Sequence, residues 1–189
     1  MLWPFNHFKK SRIASHRTIE AIYGMIVTQA REPLFYRDLG VPDTVDGRFE
    51  LLVLHLWLAL RRLTATKAAS ALSQALFDRF CDDLDDNLRE MGVGDLTVPK
   101  RMKAFGEAFY GRAAAYDLAL NAGEGPLARA LCKNILNGEG IENARRLARY
   151  VKAAVACLTG QHEAALLAGS WKFPSPTGPG AQPRTEHRA

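Results

Sequence analysis

Cysteine is scarce in this sequence, with three residues among 189. Cys81, Cys132 and Cys157 are far apart, and none of them belongs to a Cys-x-x-Cys pattern. Disulfide frameworks and cysteine-based zinc sites need regularly spaced cysteines, so neither is expected. An odd number of dispersed thiols favours a reducing compartment, and we expect a cytoplasmic protein.

The sequence also has no apolar run long enough to span a membrane, which takes about 20 residues. The longest apolar segment, residues 49–60 (FELLVLHLWLAL), is shorter and contains Glu50 and His55. The first residues, MLWPFNHFKKSR, contain no continuous apolar stretch of the kind found in secretory signals. Apolar residues still make up 48% of the chain, which is enough for a core. Residues 49–60 are therefore predicted to form a helix buried inside a globular domain.

Catalytic motifs are absent as well. The sequence contains no H-E-x-x-H, no G-x-S-x-G and no glycine-rich phosphate loop. Of the dispersed histidines, His55 lies in the most apolar segment, where a hydrogen-bonded core histidine is the expected role. These motif classes therefore give no reason to expect a catalytic residue or a bound cofactor.

Strand signals are weak, and apolar residues recur at helical spacing instead. Helices are predicted from residues 15–31, about 43–63, 66–92, about 97–121, 127–136 and 141–158. The fold class is all-α, a single compact domain of about six to seven helices. We expect the domain to span residues 15–171, after an aromatic and basic segment at residues 1–14. A disordered tail rich in proline and glycine is predicted at residues 172–189.

Individual residues mark the helix ends. Asp43, together with Asp46, is predicted to form an N-cap pair for the apolar helix, and Thr97 to cap the helix that contains Pro99 in its first turn. Gly92 has the position of a left-handed residue that closes a helix. The helix that ends there carries an apolar stripe at every fourth residue: Leu72, Leu76, Phe80, Leu84 and Leu88.

The solvent side of that striped helix is acidic. Asp82, Asp83 and Asp86 match the Asp-Asp-x-x-Asp pattern with which helical isoprenoid synthases hold magnesium, so a small magnesium-dependent, diphosphate-binding enzyme is one hypothesis. No second acidic motif accompanies it, and the chain is short for such an enzyme. The alternatives are a solvated helix face and a recognition surface for a basic partner, formed by Asp82, Asp85 and Asp86.

Basic residues are in excess elsewhere. The net charge is +5, although residues 78–95 carry seven acidic and two basic side chains, so the rest of the chain carries +10. Arg145, Arg149 and Lys152 share one face of the last long helix. That row suits phosphate groups of RNA, as in a ribosome-associated module, or it is an ordinary solvated face. No DNA binding is expected.

The N-terminal segment combines aromatic and basic residues. Such a combination suits a peripheral contact with a membrane, here on the inner face of the cytoplasmic membrane, and packing onto the domain is the alternative. The residues concerned are Leu2, Trp3, Phe5, Phe8, Lys9, Lys10, Arg12 and Arg17.

Three stretches carry a family resemblance. They are FYRDLGVPDTVDGRFE (residues 35–50), REMGVGDL (89–96) and FYGRAAAY (109–116). In this order and spacing, the chain resembles the ubiquinol–cytochrome c chaperone family over residues 19–167. The resemblance implies an all-helical, non-enzymatic assembly factor for the cytochrome bc1 complex. The absence of a long N-terminal targeting extension leads us to expect a bacterial member.

The resemblance also implies partners. Mitochondrial members act with a small partner protein near the ribosomal exit and hold newly made cytochrome b. Cytochrome b, or another bc1 subunit, is therefore the expected client, and it requires a groove with apolar walls and a charged rim. Candidate wall residues are Phe35, Tyr36, Phe105, Phe109, Tyr110 and Tyr116, and candidate rim residues are Lys100, Lys103 and Arg112. The alternative for each aromatic residue is a place in the core.

Overall fold

The computed structural model describes residues 16–176 of the chain. The predicted N-terminal segment and residues 177–189 of the predicted tail lie outside the described residues. Within them, all regular secondary structure is helical. The helices are α1 (His16–Ala30), α2 (Pro33–Arg37), α3 (Val45–Thr64), a 3-10 turn (Lys67–Ala69), α4 (Ser70–Glu90), α5 (Val98–Ala122), α6 (Glu124–Ile135), α7 (Ile141–Thr159) and α8 (Glu163–Ala168).

These elements confirm the predicted all-α domain. The long helices begin and end within four residues of the predicted bounds, and the largest difference is at α4, which begins at Ser70 directly after the 3-10 turn. The two short helices lie where the sequence shows no helical repeat. Five residues form α2 inside the proline-interrupted connector, and six residues form α8 near the end of the domain. No helix between residues 16 and 176 is long and apolar enough to cross a lipid bilayer.

The apolar helix α3 lies at the centre of the domain. Between Leu51 and Leu60 every residue except Leu52 is buried. Helices α1, α4, α6 and α7 all contact α3, so the core surrounds it. Full burial of one leucine-sized side chain contributes about 1.5–3 kcal/mol, and α3 buries more such side chains than any other described helix.

The start of α3 corrects one prediction. Thr44, and not Asp43, caps the helix, because the Thr44 hydroxyl accepts a hydrogen bond from the Gly47 amide at 3.2 Å. Asp43 instead pairs with Arg48 at 2.7 Å. Gly47 lies directly beneath the preceding loop: a Cβ atom there would come within 2.0 Å of the Pro42 carbonyl oxygen. Only glycine fits this approach, which fixes the loop against the helix.

Buried polar contacts surround His55, which is fully buried in α3. Its Nδ1 lies 2.7 Å from the Leu51 carbonyl, which can only accept, so Nδ1 carries the proton. The Tyr150 hydroxyl therefore donates to His55 Nε2 at 2.7 Å, and Gln29 donates to the same hydroxyl at 3.2 Å. His55 is the hydrogen-bonded core histidine that the sequence predicted.

Residues 171–176 pack against the same region. Trp171 and Phe173 are buried, and the Phe173 ring meets His55 edge-on with 5.1 Å between centroids. Gln29 donates a further hydrogen bond to the Pro174 carbonyl at 3.1 Å. The folded part of the chain thus includes residues 172–176, which composition alone assigns to the tail.

Helix α4 ends as predicted. Gly92 has φ of +79°, the left-handed conformation expected after the helix. Arg89 pairs with Asp85 and Asp95, both at 2.5 Å, and so connects the helix to the turn that follows. Thr97 occupies the cap position of α5 but makes no side-chain capping hydrogen bond there.

Substitution of Gly47 by alanine should destabilise the fold. The added methyl group would collide with a backbone oxygen, and we expect the free energy of unfolding to fall by about 2 kcal/mol in urea titrations. Gly111→Ala in α5, where nothing lies within 4 Å, is the matched control and should gain up to about 1 kcal/mol from helix propensity. Equal effects of the two substitutions would contradict the close approach at Gly47.

His55 should make stability depend on pH. Burial lowers the pKa of His55 to about 4, whereas the unfolded side chain has its ordinary value of 6.5. Between these values the unfolded state binds more protons, so stability present above pH 6.5 is lost as the pH falls toward 4. The loss is up to about 3 kcal/mol. Denaturation of His55→Leu over the same range should show a shallower pH dependence, and an unchanged slope would contradict the assignment.

Candidate functional site

A cleft opens between α3, α4 and α5, and we call it the aromatic cleft. Its volume is about 130 Å³. A cavity of about 150 Å³ lined by apolar side chains holds benzene, so this cleft is the size of one aromatic or branched aliphatic side chain. The walls are Trp57, Leu60, Phe77, Phe109, Tyr110 and Ala113, and the rim is Arg61, Thr64, Gln74 and Asp117.

Ring contacts hold the walls in place. Phe77 of α4 lies 5.3 Å from Phe109 and 5.9 Å from Tyr110, measured between ring centroids. On the α3 side, Trp57 meets Tyr116 at 5.2 Å. Phe109 and Tyr116 are buried, whereas Phe77 and Tyr110 are half-buried. The buried rings therefore form the support, and the half-buried rings are the part of the cleft that a ligand can touch.

The row of rings continues toward the start of α5. Phe105 is half-buried and packs against Phe80 at 5.3 Å and Phe49 at 5.7 Å. Phe105, Phe109 and Tyr116 recur at helical spacing on α5, which places them on the side that faces α3 and α4. Lys100 and Lys103 lie near the start of the same helix and are exposed.

Two ion pairs connect α3 to α5 beside these rings. Arg61 pairs with Asp117 at 3.0 Å on the rim of the cleft. Arg112 pairs with Glu50 at 2.6 Å, and this second pair is more enclosed, with 26% and 13% of the two side chains exposed. Burial raises the pKa of Glu50, while Arg112 acts in the opposite direction. Glu50 Oε2 and Arg112 Nε are buried and have no hydrogen-bond partner in the described part of the chain.

Two of the predicted client-binding residues lie elsewhere. Phe35 is completely buried in the core, where its ring lies 5.2 Å from His55 and 4.9 Å from Tyr150. Tyr36 is half-buried and donates a hydrogen bond to the Ala30 carbonyl at 2.7 Å. The structure thus brings together the predicted residues of α5 and does not bring Phe35 and Tyr36 to them.

The acidic stretch of α4 is divided between two environments. Asp83 accepts a hydrogen bond from the Tyr23 hydroxyl at 2.7 Å, and Arg79 lies 3.4 Å from the same carboxylate. The Asp83 side chain therefore belongs to the contact between α1 and α4. Asp82 and Asp86 are exposed, and Asp85 pairs with Arg89. Among residues 16–176, no three histidine, cysteine or acidic side chains are grouped in a way that could hold a metal ion.

The basic row on α7 is largely paired with carboxylates. Arg145 contacts Glu142 at 2.5 Å. Arg149 and Lys152 both contact Glu124 of α6, each at 3.5 Å. Two glutamates thus offset most of the charge of the three predicted phosphate-binding residues.

Trp57 and Phe77 are cleft residues that sequence reasoning missed. Trp57 lies within the uniformly apolar segment of α3, where no periodicity distinguishes one face from another. Phe77 directly follows Leu76 and lies off the four-residue stripe of α4. Phe77 itself, a large apolar residue outside the stripe, was the available signal for a neighbouring helix there.

Comparisons with known proteins agree on one family. Residues 37–173 match the family described as Ubiquinol-cytochrome C chaperone. The chain is 28% identical over 119 residues to ubiquinol-cytochrome-c reductase complex assembly factor 1 of Xenopus laevis, covering 62% of this chain and 59% of that protein. It is 28% identical over 149 residues to the protein CBP3, mitochondrial, of Saccharomyces cerevisiae, covering 75% of this chain and 44% of that one.

A solved structure is also similar. The crystal structure of the Cbp3 homolog from Brucella abortus superimposes with a TM-score of 0.79 at 41% sequence identity, covering 86% of this chain and 92% of that chain. The chain spans only about half the length of the two curated relatives.

The two ion pairs between α3 and α5 should differ in their contributions to stability. Arg112→Met leaves the enclosed Glu50 carboxylate without its partner, and we expect a loss of about 3 kcal/mol in the free energy of unfolding. Arg61→Met breaks a more exposed pair between the same two helices and should lose less than about 1 kcal/mol. Chemical denaturation of both variants measures the difference, and equal losses would contradict the enclosed position of Glu50.

Proposed function

The chain belongs to the ubiquinol–cytochrome c chaperone family, and we propose that it is an assembly factor for the cytochrome bc1 complex. The curated relative from Xenopus laevis is named as an assembly factor of the ubiquinol-cytochrome-c reductase complex, which is the same enzyme. The match to the family spans residues 37–173 and so includes every helix from α3 to α8. The proposed role is to hold an unassembled subunit, and it requires no catalytic residue.

The proposed client is cytochrome b. Before assembly, a subunit with several membrane spans exposes apolar helices that need temporary cover. The aromatic cleft is the observation that carries this proposal, because it offers space for one large apolar side chain between half-buried rings. Arg61 and Asp117 on its rim offer groups of both charges to the polar parts of the same segment.

One inserted side chain cannot hold a client by itself. Full burial of such a side chain contributes about 1.5–3 kcal/mol, and an affinity of about 1 mM already requires about 4 kcal/mol. The client must therefore contact additional surface. Leu118, which follows Asp117 on α5 and is 73% exposed, is the proposed additional apolar contact. Lys100 and Lys103, with Phe105, provide a charged and aromatic continuation at the other end of α5.

The other predicted roles receive less support. A magnesium site would need Asp82, Asp83 and Asp86 to converge, whereas Asp83 is directed to Tyr23. A ribosome or RNA contact would use the row on α7, most of whose charge is offset by Glu124 and Glu142. Asp82 and Asp86 stay exposed and are the proposed contact for a small basic partner protein, with Asp85 at its edge.

Tyr110→Ser should weaken client binding. The substitution removes a half-buried ring from the cleft, and a loss of about 1.4 kcal/mol corresponds to a tenfold weaker affinity. We expect cytochrome b to co-purify with the tagged wild-type protein from host membranes and to be recovered several-fold less with the variant.

Met25→Ser is the matched control, because Met25 on α1 is also half-buried but does not line the aromatic cleft. It should leave the recovery of cytochrome b unchanged. Equal recovery with both variants would contradict the cleft as the client site. Absence of cytochrome b from the wild-type preparation, together with unchanged bc1 levels after gene deletion, would contradict the proposed function itself.

A further inference from the structure

A second cleft lies beside α2 and the loop that leads into α3, and we call it the arginine cleft. Its volume is about 500 Å³, and it shares no lining residue with the aromatic cleft. The lining residues are Arg31, Pro33, Tyr36, Arg37, Asp43 and Arg48. Three guanidinium groups therefore border one open space, although they come from different parts of the chain.

The surrounding secondary structure fixes the backbone positions of these three arginines. Arg31 directly follows α1, Arg37 is the last residue of α2, and Arg48 lies in the first turn of α3. The hydrogen bond from the Tyr36 hydroxyl to the Ala30 carbonyl connects α2 to the end of α1. The close approach of Gly47 to the Pro42 carbonyl fixes the loop against α3. The backbone of the cleft is therefore organised before any ligand binds.

Two of the three guanidinium groups pair with neighbouring carboxylates. Arg48 pairs with Asp43 at 2.7 Å, but 62% and 58% of the two side chains are exposed. Arg37 forms a two-point contact with the neighbouring Asp38 at 2.9 and 3.2 Å. Arg31 makes no ion pair with any residue between His16 and Pro176. Because exposed ion pairs contribute little, an incoming anion can displace Asp43 from Arg48.

The charged groups around Tyr36 influence the pKa of its hydroxyl group. Burial raises the pKa of Tyr36, the Arg48 and Arg31 guanidinium groups act against that rise, and Asp43 adds to it. Arg31 and Arg48 thus approach the same side chain, Arg31 from directly after α1 and Arg48 from the first turn of α3. Pairs of guanidinium groups with two-point hydrogen bonding are well suited to the oxygen atoms of a phosphate.

We propose that the arginine cleft binds a phosphate group. Arg31 and Arg48 contact its oxygen atoms, Arg37 adds positive charge from the end of α2, and Tyr36 forms the floor. The phosphate can come from a soluble phosphate compound or from the headgroup of an anionic lipid. Val45, three residues before Arg48 on α3, is 78% exposed, and this apolar side chain would contact the acyl region of a lipid whose headgroup occupies the cleft.

The test uses two probes on the full-length protein. Inorganic phosphate is titrated by calorimetry at constant ionic strength, and vesicles of phosphatidylglycerol in phosphatidylcholine are tested by co-sedimentation. Arg31→Gln is the first variant, because Arg31 has no ion pair to lose and the fold should be unaffected. Arg31→Gln with Arg48→Gln is the second. Arg129→Gln, an exposed arginine on α6, is the matched control.

We expect at least one probe to bind, with affinity reduced about tenfold or more by the double substitution and unchanged by Arg129→Gln. Binding of inorganic phosphate would identify a soluble source, and binding of the vesicles alone would identify a lipid headgroup. Failure of both probes to bind overturns the proposal. Binding that persists in the double variant, or that Arg129→Gln weakens equally, also overturns it. None of these outcomes depends on cytochrome b.

Discussion

Burial of α3 is the constraint on which the rest of this structure depends. A helix that is apolar on nearly every side cannot rest on one neighbour, so α1, α4, α6 and α7 surround it. The single histidine within it is tolerated because Tyr150 and the Leu51 carbonyl satisfy both ring nitrogens. Phe173 and Pro174, which contact His55 and Gln29, complete the burial of this part of α3. The arrangement explains why the domain extends to the last described residues and does not end with α8.

The aromatic cleft follows from the way α5 completes this cover. Helix α5 meets α3 through long side chains: the Trp57–Tyr116 contact and the two ion pairs. Large rings hold the two helices apart, and the gap that α4 leaves between them is the cleft. The apolar walls of the cleft are therefore part of the packed core, but these walls stay partly open to solvent. An assembly factor that holds an apolar client needs such a surface, and a fully closed core would not provide it.

Much of the fold could be predicted from the sequence, because helical spacing and turn residues are local signals. The stripe from Leu72 to Leu88 and the closure at Gly92 depend only on neighbouring residues. The site was harder to predict. Phe35 and Phe109 are each followed by a tyrosine in the sequence. In the structure, however, Phe35 lies beside His55 and Phe109 lies beside Phe77. Asp83 finds its partner Tyr23 on another helix, which no local pattern encodes. Composition could identify aromatic candidates, but only the packing of the helices decides which of them face solvent.

Crosslinking from within the aromatic cleft tests directly whether an apolar segment of cytochrome b occupies it, as we propose. A photoreactive phenylalanine analogue at position 77 would report contacts of the cleft in the host. The same analogue at position 141, on the exposed start of α7, provides the comparison. We expect a crosslink to cytochrome b from position 77 and none from position 141. No crosslink from position 77, or equal crosslinks from both positions, would contradict this proposal.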